Sequence, residues 1–98
     1  MDVQSSSWRN ENAQIDLLID RSDRSINICE MKFSESEFVI DKSYADKIRN
    51  KKAEFIKGLS SRKNVFITFV TTFGVKSNSH SSEVMDNQIT IDSLFEKL

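Results

Sequence analysis

Three charged residues stand where charge is expensive. Asp16 interrupts the aliphatic run Ile15-Asp16-Leu17-Leu18-Ile19, and Glu30 and Lys32 interrupt the apolar run from Ile26 to Phe33. An ionised side chain among apolar neighbours is costly unless it is paired or has a task. Glu30 and Lys32 are two residues apart, so on a strand they point to one face. If the two runs form a hairpin with Asp20 opposite Ile26, Asp16 falls opposite Glu30. Directly opposed residues have Cβ atoms ~4.5–5.5 Å apart. Two carboxylates that close repel each other unless a cation or a proton lies between them. A hard divalent ion, Mg²⁺ or Mn²⁺, suits that position because it takes carboxylate and carbonyl oxygens and keeps several waters. Asp16 and Glu30 are then the candidate metal ligands, with the backbone carbonyl of Met31 as a third. Lys32 beside them orients an attacking water or stabilises charge on a phosphoryl group in the transition state. The competing reading is an ion pair between Lys32 and one carboxylate. The residues alone leave both open, because Glu-x-Lys is a weak motif in a chain with 30% charged residues.

These residues need strands to hold them. Residues 14–20 are short, aliphatic and strand-like, 21–25 read as a turn, and 26–33 as a second strand, together a hairpin. Asp41 or Ser43 can cap a helix, with Asp46 three residues after Ser43 as in a capping box. That helix runs to about Gly58, with Tyr44, Ala45, Ile48, Phe55, Ile56 and Leu59 on one face. Residues 65–73 are almost continuously apolar or β-branched, the pattern of an interior strand near 64–72. Residues 77–82 read as a loop and 88–91 as a last strand, and Asp92 caps a short helix with Leu94 and Phe95 inward. Strand, helix, apolar strand implies a right-handed crossover and a parallel pair. The expected fold is α/β, a mixed sheet flanked by helices. Residues 1–12 are polar and hard to place; Trp8 is their only strong apolar anchor, and they read as a poorly ordered start.

Ninety-eight residues suit one domain, 1–98. No apolar run approaches the ~18 residues that span a bilayer, and the N-terminus has no basic region followed by an apolar stretch. Cys29 is the only cysteine, so no internal disulfide framework forms and the expected compartment is the cytoplasm. Net charge is −1, yet residues 42–63 carry +6 and the remainder −7. Lys42, Lys47, Arg49, Lys51 and Lys52 on that segment are candidates to meet nucleic-acid phosphates; a solvated helix face is the plainer reading. Only Gly58 and Gly74 occur, which excludes a glycine-rich phosphate loop. His80 stands alone in a Ser/Asn segment, and Cys29 reads as a small buried apolar side chain.

Asp16 in an aliphatic strand, a hairpin, Glu30-Met31-Lys32, a helix and an apolar strand together resemble the PD-(D/E)XK nuclease superfamily, which has the restriction-endonuclease-like fold. More narrowly, four segments resemble the C-terminal domain of bacterial ATPases of the archaeal AAA type, over almost the whole chain. They are Ser6-Ser7-Trp8-Arg9, Ala13-Gln14-Ile15-Asp16-Leu17-Leu18-Ile19, Cys29-Glu30-Met31-Lys32 and Thr71-Thr72-Phe73-Gly74-Val75. The resemblance implies a metal-dependent nuclease-like domain that acts on or binds DNA phosphodiesters. In it Asp16 and Glu30 are metal ligands and Lys32 the catalytic lysine. Tyr44 resembles the tyrosine that some of these nucleases use near DNA, although a tyrosine at the edge of the core is the plainer reading. Gln14-Ile15 stands where the family has a proline. The helix that members carry ahead of the first core strands has no counterpart in residues 1–12. The expectation is therefore a restriction-endonuclease-like core lacking the N-terminal helix, a C-terminal fragment of a larger ATPase-type protein. Its cleavage would be slow or undetectable. Its bare sheet face would be covered by a second copy in a homodimer, and its other partners would be weakly bound DNA and the ATPase region of the parent protein. The alternative is a non-catalytic DNA-binding or regulatory interaction module attached to such an ATPase.

Overall fold

The computed structural model describes residues 3–9, 14–21, 24–59 and 63–91, without the side chains of 3–5, 8, 14–16 and 21. Five strands and two helices follow in the order β1 (Val3–Arg9), β2 (Gln14–Arg21), β3 (Ser25–Lys32), α1 (Lys42–Lys57), β4 (Asn64–Thr71), α2 (Ser79–Val84) and β5 (Asn87–Thr90). The strands form one mixed sheet in spatial order β1-β2-β3-β4-β5. β1–β2 and β2–β3 are antiparallel, and β3–β4 and β4–β5 are parallel. The hairpin has the expected register, with Asp20 opposite Ile26. Helix α1 makes the crossover between β3 and β4, and so the two strands run parallel.

Alternation along the strands builds the core. Leu18, Ile26, Ile28, Val65, Ile67 and Phe69 meet Ala45, Ile48 and Phe55 of α1, with Ile40, Val75 and Val84 closing the ends. Burying a side chain of this kind contributes ~1.5–3 kcal/mol. On the other sheet face Met31, Phe66 and Ile89 are exposed, and Leu17, Ile19 and Val70 are half-buried. Among the described residues no helix is long and apolar enough to cross a membrane.

Helix α1 starts at Asp41, whose backbone is extended and whose carboxylate accepts the Tyr44 N–H at 2.8 Å. Asp41 is thus the cap rather than Ser43, and Asp46 pairs with Arg49 at 2.9 Å instead of closing a box. Gly58 ends the helix.

Two elements differ from the sequence reading. The polar start contains strand β1, paired to β2 from Val3–Arg21 to Arg9–Gln14. It pairs on one side only, and its described side chains, Ser6, Ser7 and Arg9, are exposed, which suits their polar character. Helix α2 (Ser79–Val84) begins within residues 77–82, which read as a loop. Its residue types are poor helix formers, but Asn78 and Ser81 cap it reciprocally. Asn78 accepts from the Ser81 N–H at 2.8 Å, and the Ser81 hydroxyl accepts from the Asn78 N–H at 3.0 Å. The helix expected after Asp92 lies outside the described residues.

Candidate functional site

β3 lies in the middle of the sheet, with β2 on one side and β4 on the other. A strand in that position is normally apolar on both faces, and Ile26, Ile28 and Cys29 follow the rule. Glu30 does not. It is 7% exposed, and its Oε1 accepts a hydrogen bond from Lys51 Nζ at 2.5 Å. The Lys51 side chain retains 23% exposure and that of Glu30 10%. A charge-assisted bond partly shielded from water is stronger than a bond between neutral groups.

Lys51 comes from the middle of α1, on the flank of the stripe that buries Ile48 and Phe55. It reaches Glu30 because α1 packs its apolar face on β3 and β4. Lys32, two residues beyond Glu30 on the same face of β3, takes a different partner. Its Nζ stands 5.3 Å from the centroid of the Tyr44 ring, within cation–π range. The Tyr44 ring is itself seated against Phe38, 5.2 Å between centroids, and Phe69, 6.2 Å. Tyr44 is thus a tyrosine at the core edge. Burial, and then the Glu30 charge, push its hydroxyl well above the usual phenol range. The same two causes in the same order raise the Cys29 thiol, so neither group is a ready nucleophile.

Asp16 belongs to β2, and its side chain lies outside the described residues. The backbone around it is irregular. Between Ser6–Leu18 and Trp8–Ile15, β1 advances two residues while β2 advances three. The extra residue sits in the Asp16–Leu17 step of β2, the arrangement of a β-bulge, which bends a strand and re-aims its side chains. On its other side, the β2–β3 ladder runs from Arg21–Ser25 to Leu17–Cys29. It stops one pair short of the expected opposition of Asp16 and Glu30. Met31 pairs with Val70 of β4 and turns its side chain to the open face, 41% exposed.

The expected phosphate-binding residues do not share one face. A helix turns ~100° per residue, which separates Lys42, Arg49 and Lys52 from Lys47 and Lys51. Lys42 and Lys47 are exposed. Arg49 is held by Asp46 and by Glu83 of α2. Lys52 is half-buried beside Arg49, Glu83 and Asp86 in a hollow between α1 and α2. Lys51 is engaged by Glu30.

Among the described residues no three His, Cys, Asp or Glu side chains gather closely enough to hold a metal ion. The partner of Glu30 is Lys51, which sequence reasoning assigned to the surface. A signal was present: Lys51 follows Tyr44 by seven residues and Ile48 by three, spacings that place it near the buried stripe. No family model, curated protein or solved structure matches the chain.

Proposed function

We propose that this chain is a metal-dependent nuclease-like domain with a restriction-endonuclease-like fold, acting on or binding DNA phosphodiesters. The observation that carries the reading is Glu30, a buried carboxylate on the middle strand held against the Lys51 ammonium. The mixed five-stranded sheet with its β3–α1–β4 crossover is consistent with that fold. The donors suit the ion. The carboxylates of Glu30 and Asp16 and the Met31 carbonyl all present oxygen, the ligand atom Mg²⁺ and Mn²⁺ take. The Glu30 carboxylate also already favours a cation beside it, since Lys51 sits there. Bound at these residues, the ion supplies Lewis-acid chemistry at a phosphodiester.

The chain's own residues do the rest. Lys32 brings positive charge to the Glu30 face, where it stabilises charge developing on phosphoryl oxygens. The Tyr44 ring restrains the Lys32 ammonium near that position. Lys42, Lys47 and Lys52 add a weak, salt-sensitive attraction for the phosphate backbone.

The test is calorimetric titration of Mn²⁺ into wild type and Asp16→Ala, together with plasmid nicking with Lys32→Ala as control. The reading expects a binding step that Asp16→Ala loses, and any Mn²⁺-dependent nicking to be abolished by Lys32→Ala. Equal binding by the two proteins defeats it. A second reading is a non-catalytic DNA-binding or regulatory module attached to an AAA-type ATPase. Lys51 favours it, because it already neutralises Glu30. That reading expects DNA binding that is indifferent to divalent ions and to Asp16→Ala.

A further inference from the structure

Lys51 sits where surface reasoning does not put a lysine. It flanks the core-facing stripe of α1, its side chain is 23% exposed, and its ammonium lies 2.5 Å from Glu30 Oε1. A divalent ion bound to a carboxylate oxygen sits at ~2.0–2.1 Å for Mg²⁺. An ion bound to the Glu30 carboxylate would therefore stand within a few ångström of that ammonium. Their like charges repel, and partial burial weakens the screening between them. The other lysine on this face is already stationed elsewhere, with Lys32 Nζ 5.3 Å from the Tyr44 ring centroid. Lys51 is therefore the cation with which an incoming metal must compete.

We propose that Lys51 is the resident counter-cation of the carboxylate site, and that a divalent ion binds beside Glu30 only by displacing its ammonium. The inference rests on the metal-site reading above. It adds a regulating residue: Lys51 keeps Glu30 compensated while the metal is absent and sets a threshold for metal entry. The side chain is built for such a move. Its four-carbon stem is flexible, its ammonium is strongly hydrated once released, and its residual exposure leaves a path to solvent.

The experiment is Mn²⁺ titration by calorimetry on the full chain as wild type, Lys51→Met, Lys51→Arg and Lys51→Met/Glu30→Gln. Close charge pairs couple strongly enough that removing the competitor should tighten binding about tenfold or more. Lys51→Arg, which keeps a cation and can grip the carboxylate through two bonds, should bind no tighter than wild type. The tightened binding of Lys51→Met should vanish in the double variant. A direct readout in wild type does not depend on any variant folding. The Nζ resonance of Lys51, assigned as the lysine signal missing from Lys51→Arg, should shift on saturation with Mg²⁺. Binding that Lys51→Met leaves unchanged, or an Nζ signal indifferent to Mg²⁺ in a protein that binds it, overturns the role of Lys51 and leaves the metal site standing. No Mn²⁺ binding by wild type or Lys51→Met overturns the metal site and the inference with it.

Discussion

Replacing Lys51 by Met keeps most of the volume of the side chain and removes its charge. Glu30 is then left on the middle strand, 7% exposed, without its 2.5 Å partner. Breaking a fully buried ion pair by removing one member costs ~3–5 kcal/mol, because the remaining charge is uncompensated. The pair here is not fully dry: 23% of the Lys51 side chain and 10% of that of Glu30 meet solvent. That solvent contact reduces the penalty, and the expected loss is about 2–3 kcal/mol. For a domain of this size each kcal/mol lowers Tm by roughly 4–8 °C, so the metal-free variant should melt at least about 8 °C lower. Urea unfolding followed by circular dichroism measures the loss, and a double-mutant cycle with Glu30→Gln isolates the pair. The two single changes should overlap by about 1–2 kcal/mol. Additive changes, or a Lys51→Met variant within about 0.5 kcal/mol of wild type, would refute the argument that Glu30 depends on a cation.

Three further outcomes follow from the same geometry. Gly74 has φ +94°, and a Cβ there would meet Gln88 Oε1 at 3.6 Å, an ordinary contact, so Gly74→Ala should cost about 1–2 kcal/mol from backbone strain alone; calorimetric melting checks it. Tyr44 is the only tyrosine, and its hydroxyl holds its proton more tightly in the folded protein than in the unfolded chain. Its contribution to stability is therefore complete below about pH 10, the unfolded value, and is lost as pH rises through the folded one. Ultraviolet titration of tyrosinate should show a midpoint above that of the urea-unfolded protein, and coincident midpoints would count against it. Binding to a short DNA duplex, followed by fluorescence anisotropy, should weaken steeply with salt. Lys42→Glu/Lys47→Glu should weaken it further, and an unchanged affinity would exclude that part of α1.

The strands that carry the site were legible because their chemistry is local. The aliphatic runs around Asp16 and Glu30, the apolar 65–73 segment and the Asp41-to-Gly58 helix each announce themselves by period and by end signals. The hairpin register, taken with Asp20 opposite Ile26, is the one the strands adopt. What escaped depends on contacts made across the fold. β1 is a polar strand at the edge of the sheet, and α2 exists because two side chains cap each other, not because its residues favour a helix. The bulge at Asp16–Leu17 has no sequence marker such as glycine, so the end of the β2–β3 ladder one pair early was not foreseeable. Lys51 was counted with the surface charges because charge outweighed position. Its place beside Ile48 pointed inward, and only the packing of α1 on β3 identifies Glu30 as its partner.

The claim on which the rest depends is that a divalent ion binds beside Glu30. Mn²⁺ broadens amide resonances steeply with proximity, so an amide spectrum recorded at substoichiometric Mn²⁺ locates the ion directly. The account predicts broadening centred on Glu30, Met31 and Lys32 of β3 and on Asp16 and Leu17 of β2, all of it absent in Glu30→Gln. Broadening centred instead on Asp46, Glu83 and Asp86, or a spectrum unaffected by the Glu30→Gln change, would contradict it.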